Sequence, residues 1–303
     1  MISIKIQKVT ISFMENKNKK IPDFILNLQV LNGDNLKFFA LFTMLIDHIG
    51  AGILRYFFSY GYYPPGMDFD KASAFYEWFR HVGRWAFPIY CFFIVEGLIH
   101  TRSVPKYAIK LGIFGIFSEP CFDLAFRLKT DVFSSDIPQV LIQNSESVME
   151  KCNVYFTLLI GLLVIWTMKY VEDNLFVDNP LSPIGKSPDN PLYLILYFAP
   201  VIAGGLLAQL LQTDYRFWGV ILITIFYVFR NNRIFACIAG YMFLMNMSSE
   251  AWSLPAFTLI AFFYNGERGK LPRQVRFWFY AFYPIHLLLL YLLRCQIYSV
   301  ISA

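Results

Sequence analysis

Long apolar runs separated by short polar stops divide this chain, and that pattern admits few folds. A helix needs about 20 mostly apolar residues to cross a bilayer. Apolar segments bounded by charge or by Gly, Pro and Asn predict helices near 36–58, 78–99, 104–126, 153–171, 191–211, 215–230, 233–248, 252–265 and 276–298. At 57% hydrophobic and 16% charged, the chain is more apolar than soluble domains of its length. The expectation is an all-α, polytopic transmembrane helix bundle of about nine spans, with eight to ten allowed because the segments after Tyr215 are short.

Residues 1–35 read differently. MISIKIQKVTISFMENKNKKIPDF alternates Ile with Lys and then turns polar, with no apolar core or small-residue cleavage site. It is expected to be a basic cytosolic arm, followed by one transmembrane domain over 36–303. Lys and Arg in short loops set orientation. The arm, then Arg102, Lys106 and Lys110, then Arg230 and Arg233, then Arg268, Lys270, Arg273 and Arg276 fall on one side if the N-terminus is cytosolic. The segment Glu172 to Asp189 belongs to that side yet is acidic. Because the basic residues cluster at helix ends, the net charge of +5 reflects topology, and nucleic-acid binding is excluded. The five cysteines show no metal-binding spacing and read as packing residues, and no metal site is expected.

Against this background LKFFALFTMLIDHIG is anomalous, because Asp47 and His48 sit where hydrocarbon is expected. Helical periodicity puts Lys37, Leu41, Met44, His48, Gly52 and Arg55 on one stripe, with His48 ~16 Å beyond Lys37, near the bilayer midplane. Glu96, Glu119 and His286 lie at comparable positions in other apolar segments. Ionisable groups in a membrane are costly and usually face a bundle interior, a partner or a water-filled path, so four helices carrying them imply a shared polar cavity. Packing roles compete with this reading. His286 can bond a carbonyl freed by Pro284, Glu119 can cap a helix broken at Pro120, and Glu96 can pair with Arg84. Adjacent residues diverge by ~100° on a helix, so His48 is expected to face the cavity while Asp47 orients a neighbouring group.

The blocks LKFFALFTMLIDHIG, GRWAFPIYCFFIVEGLIHTR, FSEPCFDLAF, NVYFTLLIGLL, DYRFWGVILITIFYVFR and FWFYAFYPIHLLLLYLL occur in order from Leu36 to Leu293 and resemble the TraX family. That resemblance implies a multi-pass protein of the inner, cytoplasmic membrane whose founding member N-acetylates the pilin of a conjugative pilus. The family is also similar to a wider set of membrane acyltransferases that use cytosolic acetyl-CoA. Many of these carry a basic residue, ten intervening residues and then a His in the first helix, a spacing that Lys37 and His48 match.

The implied function is transfer of acetyl from cytosolic acetyl-CoA to an amine or hydroxyl on a pilin N-terminus, a cell-surface sugar or a small molecule. An imidazole suits the task of accepting the acceptor's proton. The expected catalytic set is His48, Asp47, Glu96, His286 and Glu119. Lys37, Arg102, Lys106, Lys110, Arg268 and Arg273 are expected to bind the anionic donor. Expected partners are the lipid bilayer, acetyl-CoA and an unnamed acceptor, with a homodimer left open. The competing reading is an ion- or proton-coupled transporter, whose matched pair of interrupted helices does not occur in this sequence.

Overall fold

A computed structural model describes residues 27–128, 136–148, 150–247 and 249–301. Most of the expected N-terminal arm, residues 1–26, lies outside the described residues. Helix α1 (Gly33–Ile49) passes through a π-helical turn (Gly50–Leu54) into α2 (Arg55–Ser59). There follow α3 (Phe69–Gly83), α4 (Ala86–His100), α5 (Val104–Phe126), α6 (Ile137–Gln143) and α7 (Val154–Leu175). Strands β1 (Phe176–Asp178) and β2 (Lys186–Pro188) pair antiparallel, and a single parallel bridge joins Leu31 to Tyr264. The chain ends with α8 (Leu192–Leu210), α9 (Arg216–Val228), α10 (Arg233–Leu244), α11 (Leu254–Thr258) and α12 (Arg273–Ile301).

Local chemistry sets the helix starts. Asn32, Asp68, Ser103, Asp136, Asn153 and Asn232 each accept a backbone N–H of the first turn that no carbonyl in the helix can reach. Helices α7 and α9 form the centre, burying Leu158, Leu162, Ile165 and Met168 against Leu222, Ile223 and Phe226. They approach closely because Gly161 and Gly219 leave room for Ile223 and Thr157, respectively. In contrast α8 exposes Ile195, Phe198, Ile202, Leu206 and Leu210, as a lipid-facing helix does.

Five helical stretches are long and apolar enough to cross a membrane: Gly33–Ser59, Phe69–His100, Val154–Leu175, Leu192–Leu210 and Gln274–Val300. This makes a multi-pass membrane protein, but the expected nine full spans are not confirmed. Helices α9 and α10 have 13 and 12 residues, so at 1.5 Å per residue each is about 20 Å or less and falls short of a ~30 Å core. Helix α5 has the length but carries Lys106, Lys110, Glu119 and Asp123.

The predicted helix at 78–99 is two elements. Helix α3 ends at Gly83, and α4 begins at Ala86 after a turn. The earlier element is amphipathic. Phe69, Phe75 and Trp78 are exposed while Ala72, Val82 and Gly83 are buried.

Candidate active site

Helices α1 and α12 run side by side, held at one end by Arg276 and Asp34, 3.4 Å apart, and at the other by Arg294, which donates to the Gly52 carbonyl at 3.3 Å. Between these ties His48 Nδ1 and His286 Nε2 are 2.6 Å apart, with the ring planes inclined by only 2°. His286 Nδ1 lies 2.7 Å from the Phe282 carbonyl oxygen, which can only accept, so this nitrogen carries the proton. In a neutral ring Nε2 is then the acceptor, and His48 Nδ1 must donate to it. The lone pair of the pair is thereby left on His48 Nε2. Phe126 and Tyr283 pack edge-on against the His48 ring, at centroid distances of 5.2 and 5.8 Å.

His48 Nε2 faces Asp47 Oδ2 across 4.0 Å, too far for a hydrogen bond. Asp47 instead pairs with Arg80 of α3 at 2.7 Å. Arg84, one helical turn after Arg80, donates to the buried Glu250 at 3.1 Å and reaches the Tyr215 hydroxyl at 3.4 Å. Helix α3 and the residue that caps its end therefore bring two guanidinium groups to the flank of the histidine pair. The π-helical turn begins two residues after His48. Gly50 there lies against Phe79, where a β-carbon would stand 2.9 Å from the Phe79 Cβ. Such turns concentrate at functional sites because they re-aim the side chains around them.

At the start of α1 is a second polar region. Lys37 lies over the Phe93 ring at 4.6 Å, and Lys110 over Tyr280 at 5.0 Å. Asp34 accepts the Leu271 N–H at 3.0 Å and pairs with Arg276, which fixes the Gly266–Leu271 loop to the helix start. Arg268 of that loop is exposed, as are Arg102 and Lys106. Arg268 lies within electrostatic reach of both Lys37 and Tyr280, so this end of α1 is basic, about 16 Å of helix from His48.

The family model described as TraX protein matches residues 32–294. The chain belongs to the TraX family. It is also similar to the probable fimbrial assembly protein FimC, serogroup H1, of Dichelobacter nodosus, with 27% identity over 263 residues, 84% of this chain and 92% of the relative. No solved structure matches the chain.

In this TraX chain the expected site residues divide into three groups. His48 and His286 meet, with Asp47 beside them. Glu96 lies elsewhere, accepting from the Tyr264 hydroxyl at 3.1 Å and standing 3.7 Å from His100; Arg84 takes Glu250 as its partner instead. Glu119 accepts both the backbone and the side-chain N–H groups of Asn153, tying the start of α7 to α5. Helix α5 continues unbroken through Pro120, so Glu119 anchors a neighbouring helix and does not cap its own. The carbonyl that Pro284 frees, that of Tyr280, accepts the Tyr155 hydroxyl at 2.9 Å, while His286 bonds Phe282. Of the expected donor-site cations, the Arg273 side chain lies outside the described residues.

Proposed function

We propose that this TraX protein is an integral-membrane acetyltransferase in which His48 is the general base and His286 is the residue that orients it. The observation that carries this reading is the directed chain from His48 Nδ1 to His286 Nε2 and from His286 Nδ1 to the Phe282 carbonyl. It leaves one basic nitrogen, His48 Nε2, beside Asp47, with its ring fixed by partners on two helices. Acyl transfer from a thioester needs that arrangement, because the acceptor must lose a proton as it attacks.

The step balances with these groups alone. The acceptor N–H or O–H approaches the acetyl carbonyl carbon, its proton passes to His48 Nε2, and a tetrahedral intermediate forms. The C–S bond then breaks, and the imidazolium returns the proton to the departing thiolate. The products are acetylated acceptor and free CoA. Asp47, 4.0 Å from Nε2, is placed to stabilise the imidazolium while it exists. Lys37, Lys110 and Arg268 at the mouth are the groups that would hold the nucleotide phosphates, with the extended thioester arm running inward along α1. Membership of the family and the fimbrial assembly relative support an acceptor belonging to the cell surface.

The test is acetyl transfer by the detergent-purified chain. Release of CoA from acetyl-CoA, stimulated by a cell-envelope extract and accompanied by acetyl incorporation, is expected. A folded chain that neither binds acetyl-CoA nor releases CoA from it would contradict the reading.

A further inference from the structure

The stretch Phe69–His100 is long and apolar enough for one crossing, yet its helix is interrupted between Gly83 and Ala86. The interruption lies beside Asp47, because a β-carbon on Gly83 would overlap that side chain. Helix breaks inside a membrane are tolerated where protein or a water-filled space surrounds them. This break carries two guanidinium groups, Arg80 on the turn before it and Arg84 within it, and both are within electrostatic reach of His48.

The two arginines are engaged differently. Arg84 Nη1 serves Glu250 and the Tyr215 hydroxyl, on the side of the break away from α1. Arg80 has Asp47 as its one ion-pair partner among the described residues, through Nη1, and 24% of its side chain is exposed. A guanidinium has five N–H donors in a rigid fork, so Arg80 keeps donors for a further acceptor after Asp47 is served. Main-chain donors are not spare at the break, since the N–H groups of Arg84 and Trp85 bond the His81 and Val82 carbonyls at 3.2 Å.

One carboxylate oxygen sets the distance between Arg80 and the histidine. Asp47 Oδ2 is 2.7 Å from Arg80 Nη1 and 4.0 Å from His48 Nε2. The two nitrogens are therefore no more than about 7 Å apart, both distances being measured to that one oxygen. Acyl transfer sets a spacing of its own. A base works about 3 Å from the attacking atom and an oxyanion donor about 3 Å from the carbonyl oxygen, and one tetrahedral carbon joins those two atoms, so base and donor belong roughly 5–8 Å apart. His48 keeps 13% of its side chain accessible, so neither group is sealed off from a reacting carbonyl.

We propose that Arg80 is a catalytic residue of the acetyl transfer, donating to the acetyl carbonyl oxygen as it becomes an oxyanion. The proposal rests on the acetyltransferase reading above. As the acceptor attacks, the π pair of the C=O bond moves onto its oxygen, the acceptor's proton passes to His48 Nε2, and N–H groups of Arg80 meet the new negative charge. When the C–S bond breaks, the oxygen pair re-forms C=O and the proton goes from His48 to the thiolate. Asp47 holds Arg80 in place beforehand, so the donor needs no reorganisation while the charge develops. The same carboxylate thus positions the oxyanion donor and faces the imidazolium. Lys37, about 16 Å of helix away, is too distant to serve the carbonyl.

Single-turnover transfer by the full chain in detergent is measured with acetyl-CoA and with dithioacetyl-CoA, in which sulfur, a weak acceptor of hydrogen bonds, replaces the carbonyl oxygen. Asp47→Asn is the reference, because it leaves Arg80 an acceptor oxygen and its double variant with Arg80→Met holds no unpaired carboxylate. In that double variant the acetyl-CoA rate is expected to fall about 10²–10³-fold below the reference, the loss that removal of one oxyanion donor brings, with acetyl-CoA affinity unchanged. The dithioester rate is expected to fall about tenfold less or better, whereas a residue that only positions Asp47 or His48 would slow both donors alike. Arg80→Lys, which keeps the charge but not the fork, should lie between, and it supplies the same comparison if the Met variant does not fold. Equal losses with the two donors, or an acetyl-CoA rate within about threefold of the reference, would overturn the proposal and leave the acetyltransferase reading standing on the parent's turnover. A parent chain that releases no CoA would remove that reading and the proposal with it.

Discussion

Gly83 of α3 lies so close to Asp47 of α1 that a β-carbon on it would overlap the Asp47 carboxylate. Only glycine at this position lets α3 approach until Arg80 reaches Asp47. Gly83→Ala is expected to part the two helices and to cost about 1–3 kcal/mol, as overpacking of a filled interior does. Gly112→Ala serves as control, because a β-carbon there meets only Leu159 at 3.7 Å, an ordinary contact. Thermal unfolding of the two variants in one detergent checks the contrast.

The Arg80–Asp47 pair makes a second prediction. With Asp47 only 16% exposed, Arg80→Met leaves a carboxylate without its partner, and removing one member of such a pair typically costs about 3–5 kcal/mol. The double variant Arg80→Met, Asp47→Asn is expected to recover much of that stability while its acetyl transfer stays impaired. A double-mutant cycle of melting temperatures measures the coupling, and additive single effects would count against a direct pair.

Glu119 is expected to act through structure. It accepts two N–H groups of buried Asn153, so Glu119→Ala leaves those donors unmatched at a cost of about 1–3 kcal/mol, whereas Glu119→Gln keeps an acceptor oxygen and much of the stability. The pH profile of acetyl transfer should be the same in the parent and in the Gln variant. A displaced profile would return Glu119 to the chemistry.

Sequence and structure agree best where one physical signal dominates. The bounds of α5 are read correctly because Ser103 and Pro105 form a strong helix start and an apolar run follows. The first part of helix α3, before Trp78, escapes notice, since Asp70, Lys71 and Glu77 interrupt the apolar pattern. The histidine pair is legible as two ionisable residues in hydrocarbon segments, but their 2.6 Å contact depends on the packing of α1 against α12, which no local pattern encodes. Arg80 and Glu250 give no signal of their own, and Arg84 is legible only as a partner for Glu96, because charge near a helix end is ordinary until a neighbouring helix is seen to bury it. Glu96 and Glu119 carry the same apolar context as His48 but find partners elsewhere in the bundle.

At the basic mouth, Lys37→Glu reverses a charge held between Phe93 and Phe279. If Lys37 holds a donor phosphate, acetyl-CoA affinity should fall by at least the ~1.5–3 kcal/mol of a charge-assisted contact, or roughly tenfold to a hundredfold. Calorimetry on the folded variant measures this, and an unchanged dissociation constant would place the nucleotide elsewhere.

Replacing His48 with Asn asks whether His48 Nε2 takes the acceptor's proton. Asn fills similar space and can hydrogen-bond to His286, but it cannot act as a base near pH 7. Single-turnover acetyl transfer by parent and His48→Asn proteins, matched for melting temperature and acetyl-CoA affinity, isolates the chemical step. A positioned general base contributes about 10²–10⁴-fold, so the variant is expected to lose at least a hundredfold in rate while still binding donor. A stable, donor-binding His48→Asn protein whose rate stays within about threefold of the parent would contradict the assignment.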